Sequence, residues 1–168
     1  MAAISPVSSS ELKRRMGRPI AIATYNELAN SDISSLLNNE FELIIFLQGR
    51  NRIGHWTAIK VFPSKHEIDF FSSYGFVPDY EKNKFVPECN IPYNVLARWL
   101  HTAYKGGWNI CYNEVPYQKI GDGTTSCGAW VVFFLKSGLT VDEFNSRIRR
   151  KCQGESYEPY ITYIWNKI

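Results

Sequence analysis

The chain has little of what usually places a protein at first sight. Its 168 residues include four cysteines, three histidines and two methionines. The cysteines (Cys89, Cys111, Cys127, Cys152) form no C-x-x-C pair and do not group with histidine, so no metal site is expected. Hydrophobic residues make up 45% of the chain, enough for a core without a disulfide framework. No apolar run approaches the ~18 residues of a membrane span; the longest, Trp130 to Leu135, has the length of a core segment. The start, MAAISPVSSSELKRR, lacks the continuous apolar stretch of a secretion signal. A strong charge imbalance is also missing. The net charge is +3, and the one basic run, Arg147-Ile148-Arg149-Arg150-Lys151, lies in a probable-helix pattern whose plain reading is a solvated face. These absences leave the expectation of a cytoplasmic monomer with reduced thiols and neither a membrane nor a nucleic-acid partner.

What is present reads as one α+β domain over 1–168, with about 1–20 as a peripheral helix or arm. Ser8-Ser9-Ser10-Glu11 is a capping box opening a short basic helix that Gly17 stops. A second short helix is expected over 31–38. Three strand-like stretches follow, Glu42 to Gln48, His55 to Phe62 and Glu67 to Ser72, an antiparallel meander by their β-branched and aromatic content. Residues 75–92, with Pro78, Pro87 and Pro92, read as an extended loop. Apolar spacing predicts a helix over 93–104, a short strand over 108–112, and a last helix over 157–165. Thr140-Val141-Asp142-Glu143 is a second capping box.

Cys127 is where chemistry is expected on physical grounds. A glycine-rich loop, residues 118–126, delivers it to the start of a mostly apolar run with Ser126 as N-cap and Gly138 beyond the end, the pattern of a buried helix. The unpaired N–H groups and dipole of a helix N-terminus favour a thiolate, and the Cys127 N–H could also bind an oxyanion. A histidine from elsewhere would act as base. A lone cysteine ahead of an apolar helix is also commonly just a small buried hydrophobe.

Four pieces then stand in order: Gly54-His55-Trp56 opening a strand, Phe71-Ser72-Ser73-Tyr74-Gly75 closing the next, Asn113 followed by Tyr117-Gln118, and Ser126-Cys127-Gly128 opening the central helix. With the Leu135 to Leu139 segment and Phe144, they span about residues 20 to 145, and together they resemble the adenovirus-protease and ubiquitin-like-protein-protease group of cysteine peptidases (clan CE), in its viral versions. The resemblance implies a papain-like fold of that type, a mixed central sheet flanked by helices, with the nucleophile at a helix N-terminus. It implies Cys127 as nucleophile, His55 as general base and Gln118 as oxyanion donor. Trp56, Gly128 and Ser126 would line a narrow substrate channel. No cofactor is implied, and the partner is a polypeptide.

One position departs from the family pattern. The residue that should orient the histidine is acidic or an amide, and here it is Ser72. Strand alternation turns Asp69 to the opposite face, so it is no substitute. Three readings follow: a Cys–His pair suffices, the substitution impairs catalysis, or an acid from outside the motif reaches in. The function implied is a viral endopeptidase that processes polyproteins. The alternatives are removal of ubiquitin or SUMO from host conjugates, and a binding module that keeps the peptidase fold.

Overall fold

The computed structural model describes residues 3–48, 54–85, 91 and 93–168. Helix α1 (Ser9–Met16) is capped as its sequence predicts: the Ser8 hydroxyl accepts the Glu11 N–H, and Gly17 ends the helix at φ 70°. Strand β1 (Ile22–Thr24) and helix α2 (Tyr25–Ala29) are not anticipated by the pattern, whereas α3 (Ile33–Leu36) falls within the expected 31–38. The meander follows as β2 (Glu42–Gln48), β3 (Gly54–Phe62) and β4 (Glu67–Phe71), both pairings antiparallel. The expected loop between β2 and β3 lies outside the described residues except for Gly54.

The stretch expected to be extended over 75–92 is corrected. It contains helix α4 (Tyr80–Phe85), which with α5 (Val95–Lys105) forms the crossover from β4 to β5 (Asn109–Tyr112). Asp79 explains how α4 is fixed. In the left-handed region at φ 69° and fully buried, it accepts the N–H groups of Leu96 and Ala97 at 3.2 and 2.8 Å. The start of α4 is thereby tied to the first turn of α5, whose nominal cap, Asn94, makes no side-chain capping bond.

Strand β1 adds to β2 and β5 to β4, each in parallel, giving the order β1-β2-β3-β4-β5. The mixed sheet is covered on both faces. Ile44, Trp56, Ala58 and Phe71 pack with α1, α6 (Cys127–Ser137), α7 (Val141–Cys152) and α8 (Tyr157–Trp165). The alternate residues Leu43, Ile45, Ile59, Val61 and Phe70 pack with α2, α3 and α5. Helix α6 is wedged between the sheet and the other helices, so it is apolar nearly all round. Phe71 stacks on Phe134 at 4.7 Å, and Phe144 meets Phe134 edge-on at 5.4 Å. Each fully buried side chain of this size stabilises the fold by about 1.5–3 kcal/mol. The capping box at Thr140 is complete in both directions. Ser126 is corrected as a cap: its hydroxyl makes no capping bond and donates to Glu158 Oε2 at 2.8 Å.

Candidate active site

His55 is the second residue of β3, held in register opposite Leu47. Cys127 is the first residue of α6, beneath the sheet. The two side chains meet although their elements are far apart in sequence, and both are buried, 7% and 8% exposed. As the first residue of a helix, Cys127 has no intrahelical acceptor for its N–H. Burial is the largest influence on its thiol and pushes the pKa up. The His55 ring, and the N–H groups of Trp56 and Gly128, outweigh it and hold the thiol below its ordinary value. Burial likewise works against the His55 cation, but Cys127 and then Glu81 overcome it and raise its pKa to about 9. Both shifts favour a thiolate beside an imidazolium.

The other side of the ring meets an arrangement absent from the family pattern. His55 Nε2 lies 3.2 Å from Ser72 Oγ, which donates to Glu81 Oε1 at 2.5 Å. The same carboxylate oxygen is 3.5 Å from Nε2. Ser72 follows the end of β4, and Glu81 is the second residue of α4, 1% exposed. A carboxylate from outside the motif thus stands within 3.5 Å of the ring. Asp69 takes no part. It points toward α7, where its Oδ2 accepts the Val141 N–H at 2.7 Å.

The turn after β4 is built closely. The Asn113 amide donates to the carbonyls of Ser72 and Val115, at 2.7 and 2.9 Å, and pins the strand end. Gly75 sits at φ 78°, and a Cβ there would lie 2.8 Å from the Glu114 carbonyl oxygen, so the close approach needs glycine. Gln118 is buried; its N–H donates to the Ser73 carbonyl and its side-chain oxygen accepts from the Ser73 hydroxyl. That fixes the amide orientation, with nitrogen donating to Thr124 Oγ1 at 2.9 Å. Tyr74 stacks on the His55 ring at 4.5 Å.

A groove of about 790 Å³ opens beside the sulfur, lined among others by Cys127, Trp56, Phe46, Tyr74, Thr124 and Val7. Trp56 is set by a tilted contact with Phe46 at 4.5 Å and by donation from Nε1 to the Val7 carbonyl at 3.1 Å. At Gly128 a Cβ would meet Trp56 and Val7 at 3.2 Å, so its lack of a side chain lets both close on the helix start. Ser126 lies one residue before the nucleophile with its hydroxyl turned to α8.

No family model matches the chain. It is 23% identical over 159 residues to the uncharacterized protein V9 of Sputnik virophage, covering 74% of this chain and 85% of that one. Among solved structures, the chain is similar to a crystal structure of an ASFV protease (TM-score 0.44, 14% identity, 73% of this chain and 51% of that one). It is also similar to the SUMO protease Ulp1 (TM-score 0.38, 14% identity, 76% and 62%) and to the Chlamydia abortus effector ChlaDUB (TM-score 0.34, 21% identity, 57% and 45%). The chain thus spans about half to three-fifths of the length of these neighbours.

One group of potential metal ligands occurs among the described residues: Glu67, Asp69 and Cys111, with donor atoms within 4.8 Å of one another on β4 and β5. Burial and a hydrogen bond with Glu67 push the Asp69 carboxyl up to about 8. Among the described residues no helix is long and apolar enough to cross a membrane.

Proposed function

We propose that the protein is a cysteine peptidase whose nucleophile is Cys127 and whose general base is His55, acting as an endopeptidase on a viral precursor polypeptide. The observation that carries this reading is the meeting of a buried cysteine at a helix N-terminus with a buried histidine, at the edge of a groove. Ion pairing supplies the thiolate at neutral pH, where an ordinary cysteine is only a few per cent ionised. The sulfur attacks the scissile carbonyl carbon, and the negative oxygen faces the Cys127 N–H and the Gln118 amide. The imidazolium gives its proton to the departing amine as the tetrahedral adduct collapses to a thioester. Water then adds to the thioester, His55 taking its proton and keeping it as the sulfur leaves as thiolate, which restores the ion pair and releases the acid. Each proton that moves is held by His55, and no cofactor enters.

Trp56 and the bare backbone of Gly128 make the approach to the sulfur narrow, which suits small side chains next to the scissile bond. Support for the family fold (the clan CE type) comes from the helix-borne nucleophile, the mixed sheet and the order of the four motifs.

The test is cleavage of candidate precursor peptides by the native chain and by Cys127→Ala, together with exposure to ubiquitin and SUMO carrying a C-terminal electrophile. Precursor cleavage lost in Cys127→Ala, with no probe adduct, is the expected result. Adduct on Cys127 without precursor cleavage would instead mark an enzyme of ubiquitin-like conjugates. A folded sample that gives neither cleavage nor adduct would overturn the peptidase reading.

A further inference from the structure

We propose that Glu81 is the acid of this site: a positioning residue on α4 that acts through the Ser72 hydroxyl to fix the tautomer of His55 and to stabilise its charge. The proposal rests on the peptidase reading, and it follows from hydrogen-bond direction. A hydroxyl has one proton. The Ser72 hydroxyl donates to Glu81 Oε1 at 2.5 Å, which commits that proton. Toward His55 Nε2, 3.2 Å away, Ser72 Oγ can therefore only accept. In the neutral ring the single proton therefore sits on Nε2, and Nδ1 is the nitrogen that takes up the thiol's proton when the imidazolium forms. Nδ1 is buried without a hydrogen-bond partner. It is the nitrogen left to serve the neighbouring thiol. Without Glu81, Ser72 could donate as readily as accept, and the tautomer would be unspecified.

Burial of Glu81 has no competing explanation in its surroundings. It is 1% exposed, and among the described residues its ion-pair partner is His55 at 3.5 Å. Its neighbour Lys82 is occupied elsewhere, donating to the carbonyls of Ile91 and Tyr93 at 3.1 and 2.9 Å. A buried carboxylate without a partner is strongly destabilising. The imidazolium is the partner that offsets this cost. The Asp79 anchor between α4 and α5 holds the carboxylate at that distance from the strand end. Serine at the family's acid position is thus one half of a two-residue replacement, the hydroxyl giving reach and the helix giving charge.

The experiment reads the thiol directly. Iodoacetamide alkylation of Cys127, mapped by mass spectrometry across pH, is compared in native protein, Glu81→Gln and Glu81→Asp, alongside kcat/KM on a cleavable peptide. In Glu81→Gln the ring should lose its proton at lower pH, so the upper limb of the alkylation profile should move down by about one unit, about tenfold in the ring's proton affinity. Activity should fall about 10- to 100-fold. Glu81→Asp keeps the charge and should lie between. Ser72→Asp should restore Glu81→Gln to within a few-fold, yet should give no gain in the native background, where it sets two carboxylates against one ring. An alkylation limb unmoved in Glu81→Gln, or a steep gain from Ser72→Asp alone, would overturn the proposal. The peptidase reading fails separately: a chain with the alkylation shift but no hydrolysis keeps Glu81 as positioning residue and loses the enzyme.

Discussion

Replacing His55 with alanine should turn Cys127 from the most reactive described thiol of the chain into a sluggish one. Burial is the largest influence on Cys127 and acts upward, while the ring is the leading influence downward. Without the ring, the thiol pKa should rise to or above the ordinary value of about 8.5. At pH 7 such a thiol is at most about 3% ionised, a loss of about 30-fold relative to a fully formed thiolate. The more basic thiolate is also the better nucleophile. A Brønsted slope of about 0.4–0.5 per unit of pKa offsets much of that loss at a single pH. The position of the pH limb is therefore a sharper measure than a single rate. Alkylation between pH 5 and 10, with the modified residue identified, gives it. Cys111 is an internal reference, since burial and then Asp69 push its thiol up to about 11. Cys152 is raised by burial as well. A native Cys127 whose limb lies at 8.5 or higher, or a limb that His55→Ala leaves in place, would refute the ion-pair reasoning.

Three further outcomes are expected. Gln118→Ala should cut kcat on a peptide substrate about 100-fold, as for a lost oxyanion donor, with KM little changed. Asp69→Asn should raise the melting temperature increasingly between pH 4 and pH 8. The carboxyl titrates at about 8 when folded but near 4 when unfolded, so its contribution to stability is whole below about pH 4 and lost as pH rises toward 8. The amide keeps an acceptor for the Val141 N–H; a difference constant over that range would show that burial does not raise the Asp69 carboxyl. Gly75→Ala should cost about 1–3 kcal/mol in denaturant unfolding, through left-handed backbone and the clash with the Glu114 carbonyl. An unchanged midpoint would mean that the turn can move aside.

The legible parts of the fold were those written in local chemistry. The capping serine at Ser8, the capping box at Thr140 and left-handed glycines at 17 and 138 marked helix ends, and β-branched and aromatic content marked β2 to β4. Strand β1 is too short for alternation to show, and its parallel pairing with β2 is non-local. Helix α4, sequence YEKNKF between prolines, has no apolar period, and its start is secured by Asp79 reaching α5. The same lack of pattern hid Glu81, because a glutamate in a polar helical turn looks solvated whether or not it is. The signal that pointed to it was indirect: a serine where a carboxylate was wanted. Ser126 misled for the opposite reason, a good capping residue whose hydroxyl found Glu158 instead.

The groove has one flank made of chain that precedes α1. Ile4 is buried and its carbonyl takes the Thr125 hydroxyl, while the Val7 carbonyl takes the Trp56 indole. That flank is stitched at two points rather than woven into the sheet, so cargo fused at the amino end hangs beside the opening and tugs on both stitches.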